Sequence, residues 1–180
     1  MPFPRDHKYT AEEYFNETPE TKQHMELRNG EIIDLATPTI EHQDIVGALY
    51  SEIRSFIKHN NGSCKPFVSP LDVKLDDYNV VQPDVFVICD SSKFDDKRCY
   101  GAPDWCIEVL STNRSDDLID KLALYQKHGV REYWIVDPKN EKTLVYFFEN
   151  SDFPNIYTFD AAVPVGIYGG KLSICIKELL

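Results

Sequence analysis

An α/β fold with a central mixed sheet, an N-terminal β-hairpin and a C-terminal β-meander is predicted by three observations. Apolar residues recur at helical spacing over residues 40–60, the runs 83–89 and 104–110 are almost continuously apolar, and a second helical stripe precedes the strand Glu132–Asp137. Near-continuous apolar runs belong to strands buried on both faces, so these two runs are expected at the centre of the sheet. The core order is α-β-β-β-α-β.

Each element has a local cause. Thr10-Ala-Glu-Glu13 is a capping box that starts a short helix, with the Thr10 hydroxyl accepting from a first-turn amide and Glu13 reaching back to the cap. The chain then turns at Pro19. Met25–Arg28 and Glu31–Asp34 flank Asn29-Gly30, the dipeptide that best tolerates the positive φ angles of a hairpin turn. Ile45, Val46, Leu49, Ile53, Phe56 and Ile57 step at three and four residues, and Asn61-Gly62 ends that helix. Strands are expected over 66–75, 83–89 and 104–110. Ser111-Thr-Asn-Arg-Ser-Asp116 supplies helix-start residues, Leu118, Leu122 and Tyr125 form the buried stripe, and Gly129 stops the helix. After Pro138, segments 143–148, 155–159 and 172–176 read as a meander of short strands divided by Asn, Asp, Pro and Gly. With no repeat, low-complexity tract or linker, residues 1–180 read as one domain.

A chain of 180 residues with 42% hydrophobic content can support a core that buries roughly 70% of the unfolded surface. No apolar run approaches the roughly 20 residues of a membrane span, and the opening residues lack the apolar stretch of a signal peptide, which points to the cytoplasm. The five cysteines show no Cys-x-x-Cys spacing, and Cys89, Cys106 and Cys175 sit in apolar runs where a thiol acts as a small hydrophobe. Neither a zinc site nor a disulfide framework is expected. The net charge of −11 argues against a general nucleic-acid coater, since that affinity comes largely from Lys and Arg neutralising phosphates. A nuclease needs positive potential only around its cleft, and its own acidic ligands count toward the deficit until metal binds.

Asp84 and Glu108 each lie inside an apolar strand, where a carboxylate costs several kcal/mol of desolvation unless a cation or hydrogen bonds compensate. On adjacent strands the two would converge on one cation. Mg²⁺ suits such a pair, because it takes one or two protein carboxylates, several waters and a phosphate oxygen. The alternative for either acid is a partner arginine, Arg98 or Arg114, or a backbone amide. Lys121 flanks the buried stripe of its helix, from where its ammonium can reach the strand ends and a phosphate. Its alternative is an i,i+4 salt bridge with Asp117. Glu26, beside the hairpin turn, either completes an acidic cluster or pairs with a basic residue. His42 falls in step with Ile45, Val46 and Leu49, as an interior hydrogen-bonded histidine does. Tyr125 is read as packing, and Asp137 as a turn residue.

The strings Met25-Glu-Leu-Arg-Asn-Gly-Glu31, His42, Gln82-Pro-Asp-Val85, Pro103-Asp-Trp-Cys-Ile-Glu-Val-Leu-Ser111, Asp117-x-x-x-Lys121-x-x-x-Tyr125 and Gly129-Val-Arg-Glu-Tyr-Trp-Ile-Val-Asp-Pro138 together resemble the Uma-type restriction endonucleases, within the PD-(D/E)XK nuclease superfamily. The resemblance implies a restriction-endonuclease-like core, DNA as substrate, Mg²⁺ (or Mn²⁺) held by Asp84 and Glu108, Glu26 as a further acidic member of the catalytic set, and a homodimer. The superfamily pattern places a lysine two residues after the second acid, where this chain has Leu110. Lys121 would then be the relocated catalytic lysine. The competing expectation is a dimeric binding or regulatory module that keeps the nuclease scaffold without turnover.

Overall fold

The computed structural model describes residues 3, 7–18, 24–111 and 115–180, the side chains of 115–119 excepted. The expected turn at Pro19, the helix-start residues 112–114, and the side chains of Asp117 and Leu118 lie outside these residues.

Helix α1 (Ala11–Glu17) opens on the capping box: Thr10 Oγ1 accepts from the Glu13 amide at 3.2 Å and Glu13 Oε2 accepts from the Thr10 amide at 2.7 Å. Strands β1 (Met25–Arg28) and β2 (Glu31–Asp34) pair antiparallel across Asn29 and Gly30, whose φ values of 51° and 83° are those a tight hairpin demands. Thr39 caps α2 (Ile40–His59), which buries Ile45, Leu49, Ile53 and Ile57 along one side.

The strand expected over 66–75 is two strands in different sheets. β3 (Lys65–Val68) and β4 (Val73–Asp76) are separated at Pro70, which has no amide hydrogen with which to continue a ladder. β5 (Asn79–Val81), β6 (Val85–Ile88), β7 (Cys99–Tyr100) and β8 (Trp105–Val109) follow, then α3 (Ser115–His128) and β9 (Glu132–Asp137). The chain ends in β10 (Lys142–Phe147), β11 (Asn155–Thr158), β12 (Val163–Pro164), β13 (Ser173–Ile174) and α4 (Ile176–Leu179). The expected meander is therefore shorter: its last segment pairs with β12 in a separate ladder, and Ile176 already begins a helix.

Six strands form a mixed sheet in the order β11-β10-β9-β8-β6-β3, parallel at β8–β9 and antiparallel elsewhere. A second sheet runs β2-β1-β5-β4-β7. Side chains alternate across a strand, so the central strands feed two cores. Val85, Val87, Trp105, Ile107 and Trp134 pack with Leu49 and Ile53 of α2, whereas Phe86, Cys106 and Tyr133 pack with Leu124 and Tyr125 of α3. Burial on both faces explains the unbroken apolar runs that mark β6 and β8 in the sequence. Among the described residues no helix is long and apolar enough to cross a membrane.

The expectation that no cysteines pair is corrected. Cys64 and Cys89 form a disulfide. Lys65 pairs with Ile88 in the β3–β6 ladder, so the next residues out, Cys64 and Cys89, oppose each other across the strands. A separation of 25 residues gave no local sign of this. Cys99 and Cys106 are free and buried, as small hydrophobes should be.

β9 also anchors the C-terminal segment. Glu132 is fully buried and divides its two oxygens, one accepting from Trp134 Nε1 at 2.7 Å and the other from the Ile167 amide at 2.8 Å. Replacing Glu132 with Gln turns an N–H against one of these donors. Denaturant unfolding should show a loss of about 1–3 kcal/mol; a change below about 0.5 kcal/mol would remove Glu132 from this anchoring role.

Candidate active site

The β6–β8 ladder pairs Val85 with Ile107, Phe86 with Cys106 and Val87 with Trp105. One step further it sets Asp84 opposite Glu108. Directly opposed residues of an antiparallel pair share a face, with Cβ atoms roughly 5 Å apart. By alternation that face is the one bearing Phe86 and Cys106, the α3 side.

Asp84 is held from two directions. Its Oδ2 accepts from the Val109 amide at 2.8 Å and from His42 Nε2, in the first turn of α2, at 3.1 Å. Glu108 is held from α3: Oε1 accepts from Tyr125 Oη at 2.7 Å and from Lys121 Nζ at 2.9 Å. Lys121 and Tyr125 are one helical turn apart, so both project from one helix face onto the same oxygen.

Glu26 comes from the other sheet. Its Oε1 lies 3.0 Å from Lys121 Nζ and accepts from the Gln82 amide at 2.8 Å, and its Oε2 lies 3.3 Å from Arg28 Nε. Of the two expectations for Glu26, the structure places it with basic partners, and through Lys121 it also adjoins Glu108. Gln82 stands two residues before Asp84, so Glu26 fixes both the ammonium and the chain entering the site.

The electrostatics favour a cation. Burial, joined by the negative charges of Asp84 and Glu26, pushes the Glu108 carboxyl up to about 7 against the opposing pull of Lys121. The Tyr125 hydroxyl is driven well above its ordinary value by burial and by the Glu108 charge. Asp84, Glu108, Lys121, His42, Gln43 and Gln82 line a cleft of about 240 Å³.

Among the described residues no group of three or more His, Cys, Asp or Glu side chains is arranged to hold a metal. A two-carboxylate set does match Mg²⁺ or Mn²⁺, which draw their remaining ligands from water and phosphate. Asp84 Oδ1 and Glu108 Oε2 accept no hydrogen bond among the described residues, and both residues line the cleft.

Several expectations need adjustment. Tyr125, read as packing, has a completely buried ring, but its hydroxyl is a partner of Glu108. His42 is an interior hydrogen-bonded histidine as its helical phase indicates, and the partner that spacing could not reveal is Asp84. Arg98 stacks over the Phe15 ring at 3.4 Å instead of pairing with either acid, and Arg114 lies outside the described residues. Leu110 packs at the edge of the α3-side core. Asp137 closes its turn by accepting from Asn140. Gln82, part of the Gln82-Pro-Asp-Val85 string, lines the cleft and is held there by Glu26 through its amide.

The model of the Uma2 family, described as "Putative restriction endonuclease", matches residues 11–160. The chain belongs to the Uma2 family. Among solved structures it is similar to a protein of Anabaena variabilis described as "a putative nuclease", with a TM-score of 0.77 and 28% identity over 94% of this chain and 96% of that one. No curated protein matches it. Membership of Uma2 and this neighbour support a nuclease as the activity class.

The raised Glu108 carboxyl gives a pH signature. Between the ordinary value of 4.5 and about 7, native Glu108 keeps a proton that the unfolded chain releases, so stability falls as pH rises across that window. Relative to Glu108→Gln, the wild type without divalent ions should lose on the order of 5 °C in Tm over this range. Melting curves at stepped pH test this, and parallel curves for the two proteins would contradict it.

Proposed function

We propose that this Uma2 chain is a Mg²⁺- or Mn²⁺-dependent endonuclease that hydrolyses phosphodiester bonds in DNA, acting as a homodimer. The observation that carries the reading is the opposition of Asp84 and Glu108 in one cleft, with the Lys121 ammonium 2.9 Å from Glu108. Asp84 and Glu108 would hold the ion. Bound there, it would supply polarisation of the phosphoryl oxygen and activation of the attacking water.

The chain's own residues have separate tasks. Lys121 places a positive charge at the floor of the cleft, where it offsets charge developing on the phosphoryl group. Glu26 keeps that ammonium aimed at Glu108 and fixes the backbone ahead of Asp84. The net charge of −11 includes the acids of the cleft, and the positive potential a nuclease requires there would come from the bound ion. The homodimer rests on the family resemblance. A cytoplasmic location fits a DNA substrate, while the Cys64–Cys89 bond, of a kind that persists mainly in oxidising compartments, weighs against it.

One feature favours the second reading, a binding module without turnover: Leu110 occupies the position where the superfamily pattern has its lysine, and Lys121 is already shared by two carboxylates. Nicking of supercoiled plasmid with Mg²⁺ or Mn²⁺ decides between them. The wild type should cleave, and Asp84→Asn should lose at least about 100-fold in rate while keeping its melting transition, because shape is preserved and one charge is removed. A wild type that cleaves nothing with either ion would overturn the enzyme reading.

A further inference from the structure

Each acid in the cleft has one oxygen taken by two donors and the other left open. Asp84 Oδ2 receives the Val109 amide and His42 Nε2; Glu108 Oε1 receives Tyr125 Oη and Lys121 Nζ. A carboxylate oxygen has two lone-pair sites, so these two oxygens are filled. Asp84 Oδ1 and Glu108 Oε2 accept no hydrogen bond among the described residues, and both acids line the cleft. We infer that both carboxylates are held for one-oxygen coordination, and that His42 and Tyr125 are the positioning residues that impose it. This rests on the metal-dependent reading above.

The terminal torsion of a carboxylate side chain is soft, and a pair of donors on one oxygen removes that freedom. An acid fixed in this way cannot swing to chelate through both oxygens. Ca²⁺ readily takes bidentate carboxylates among six to eight ligands, whereas Mg²⁺ requires a small octahedron at about 2.1 Å. Such an arrangement selects the smaller ion.

Neither positioning residue has another polar task among the described residues. Asp84 Oδ2 only accepts, so His42 Nε2 donates to it; Nδ1 is buried and has no hydrogen-bond partner among the described residues. An imidazole on the apolar side of α2 with one hydrogen bond, to Asp84, would pack more favourably as leucine if packing were its role. Tyr125 likewise spends its hydroxyl on Glu108 from a completely buried ring. The two approach from α2 and α3, on opposite faces of the sheet.

The test is calorimetric titration of the full chain with Mn²⁺ and with Ca²⁺, with Mn²⁺ electron paramagnetic resonance as a spectroscopic check. Wild type should bind Mn²⁺ in preference to Ca²⁺, and Asp84→Asn should abolish binding. His42→Leu and Tyr125→Phe should each weaken Mn²⁺ binding about 10–100-fold and narrow the Mn²⁺/Ca²⁺ preference, while His42→Gln, whose amide N–H can replace Nε2–H, stays within about threefold of wild type. Should His42→Leu fail to fold, Tyr125→Phe and His42→Gln still decide the matter, because a purely structural role would not shift the ratio between two ions. If the Leu and Phe variants keep both affinity and ratio, the inference falls and the metal reading stands. If wild type binds no Mn²⁺, both fall.

Discussion

The register between β6 and β8 is the constraint on which the site depends. A slip of one residue would turn Asp84 from the α3 face to the α2 face and separate it from Glu108. Hydrophobic alternation cannot set this register, because both strands are apolar on both faces. The lock comes from the acid itself: Asp84 Oδ2 takes the Val109 amide just beyond the last paired residues, and the Asp84 carbonyl accepts from Ser69 at 3.1 Å at the end of β3. The same acid thus also holds its strand in line with both neighbours, and the cost of placing a carboxylate there is offset by the bonds that define its position.

The second constraint is charge. Glu26, Asp84 and Glu108 draw together three carboxylates, answered by Lys121 and Arg28. A buried ion pair adds little net stability, since desolvation cancels most of the attraction, yet removing one partner typically costs about 3–5 kcal/mol. Once Glu26 and Glu108 are present, the ammonium is therefore obligatory. It joins β1, β8 and α3, so the smaller sheet is tied to the central one at the site itself. Burial is the main reason the Glu108 carboxyl is pushed up, and the excess of carboxylate adds to it.

What the sequence disclosed followed the range of the forces involved. The Thr10 capping box, the Asn29-Gly30 turn and the amphipathic α2 are written in neighbouring residues, and each appears where its local chemistry places it. The two acids stood out because an ionisable group in an apolar run is anomalous at any distance. Contacts between remote segments left no such trace. The break at Pro70, which sends β3 and β4 to different sheets, the opposition of Cys64 and Cys89, and the bond from His42 to Asp84 depend on which strands become neighbours. Tyr125 was hidden for another reason: a tyrosine on a buried stripe looks like packing until the partner of its hydroxyl is known.

The position of the lysine shows how a site can keep its charge while changing its wiring. A residue two places after Glu108 lies on the same side of the strand, and a lysine there would reach the cleft directly. Leu110 instead packs into the α3-side core, and the ammonium arrives from α3 through Lys121. Its aim then depends on how α3 is seated. That seating comes from Leu124 and from Tyr125, whose ring meets Tyr133 edge-on with centroids 4.9 Å apart. Lys121 and Tyr125, one turn apart, must move together, so any shift of α3 withdraws both donors from Glu108 at once. A strand-borne lysine would be insulated from such shifts. A helix-borne one makes the electrostatics of the cleft a direct function of core packing, so substitutions around Leu124 and Tyr133 reach the Lys121–Glu108 contact without touching it.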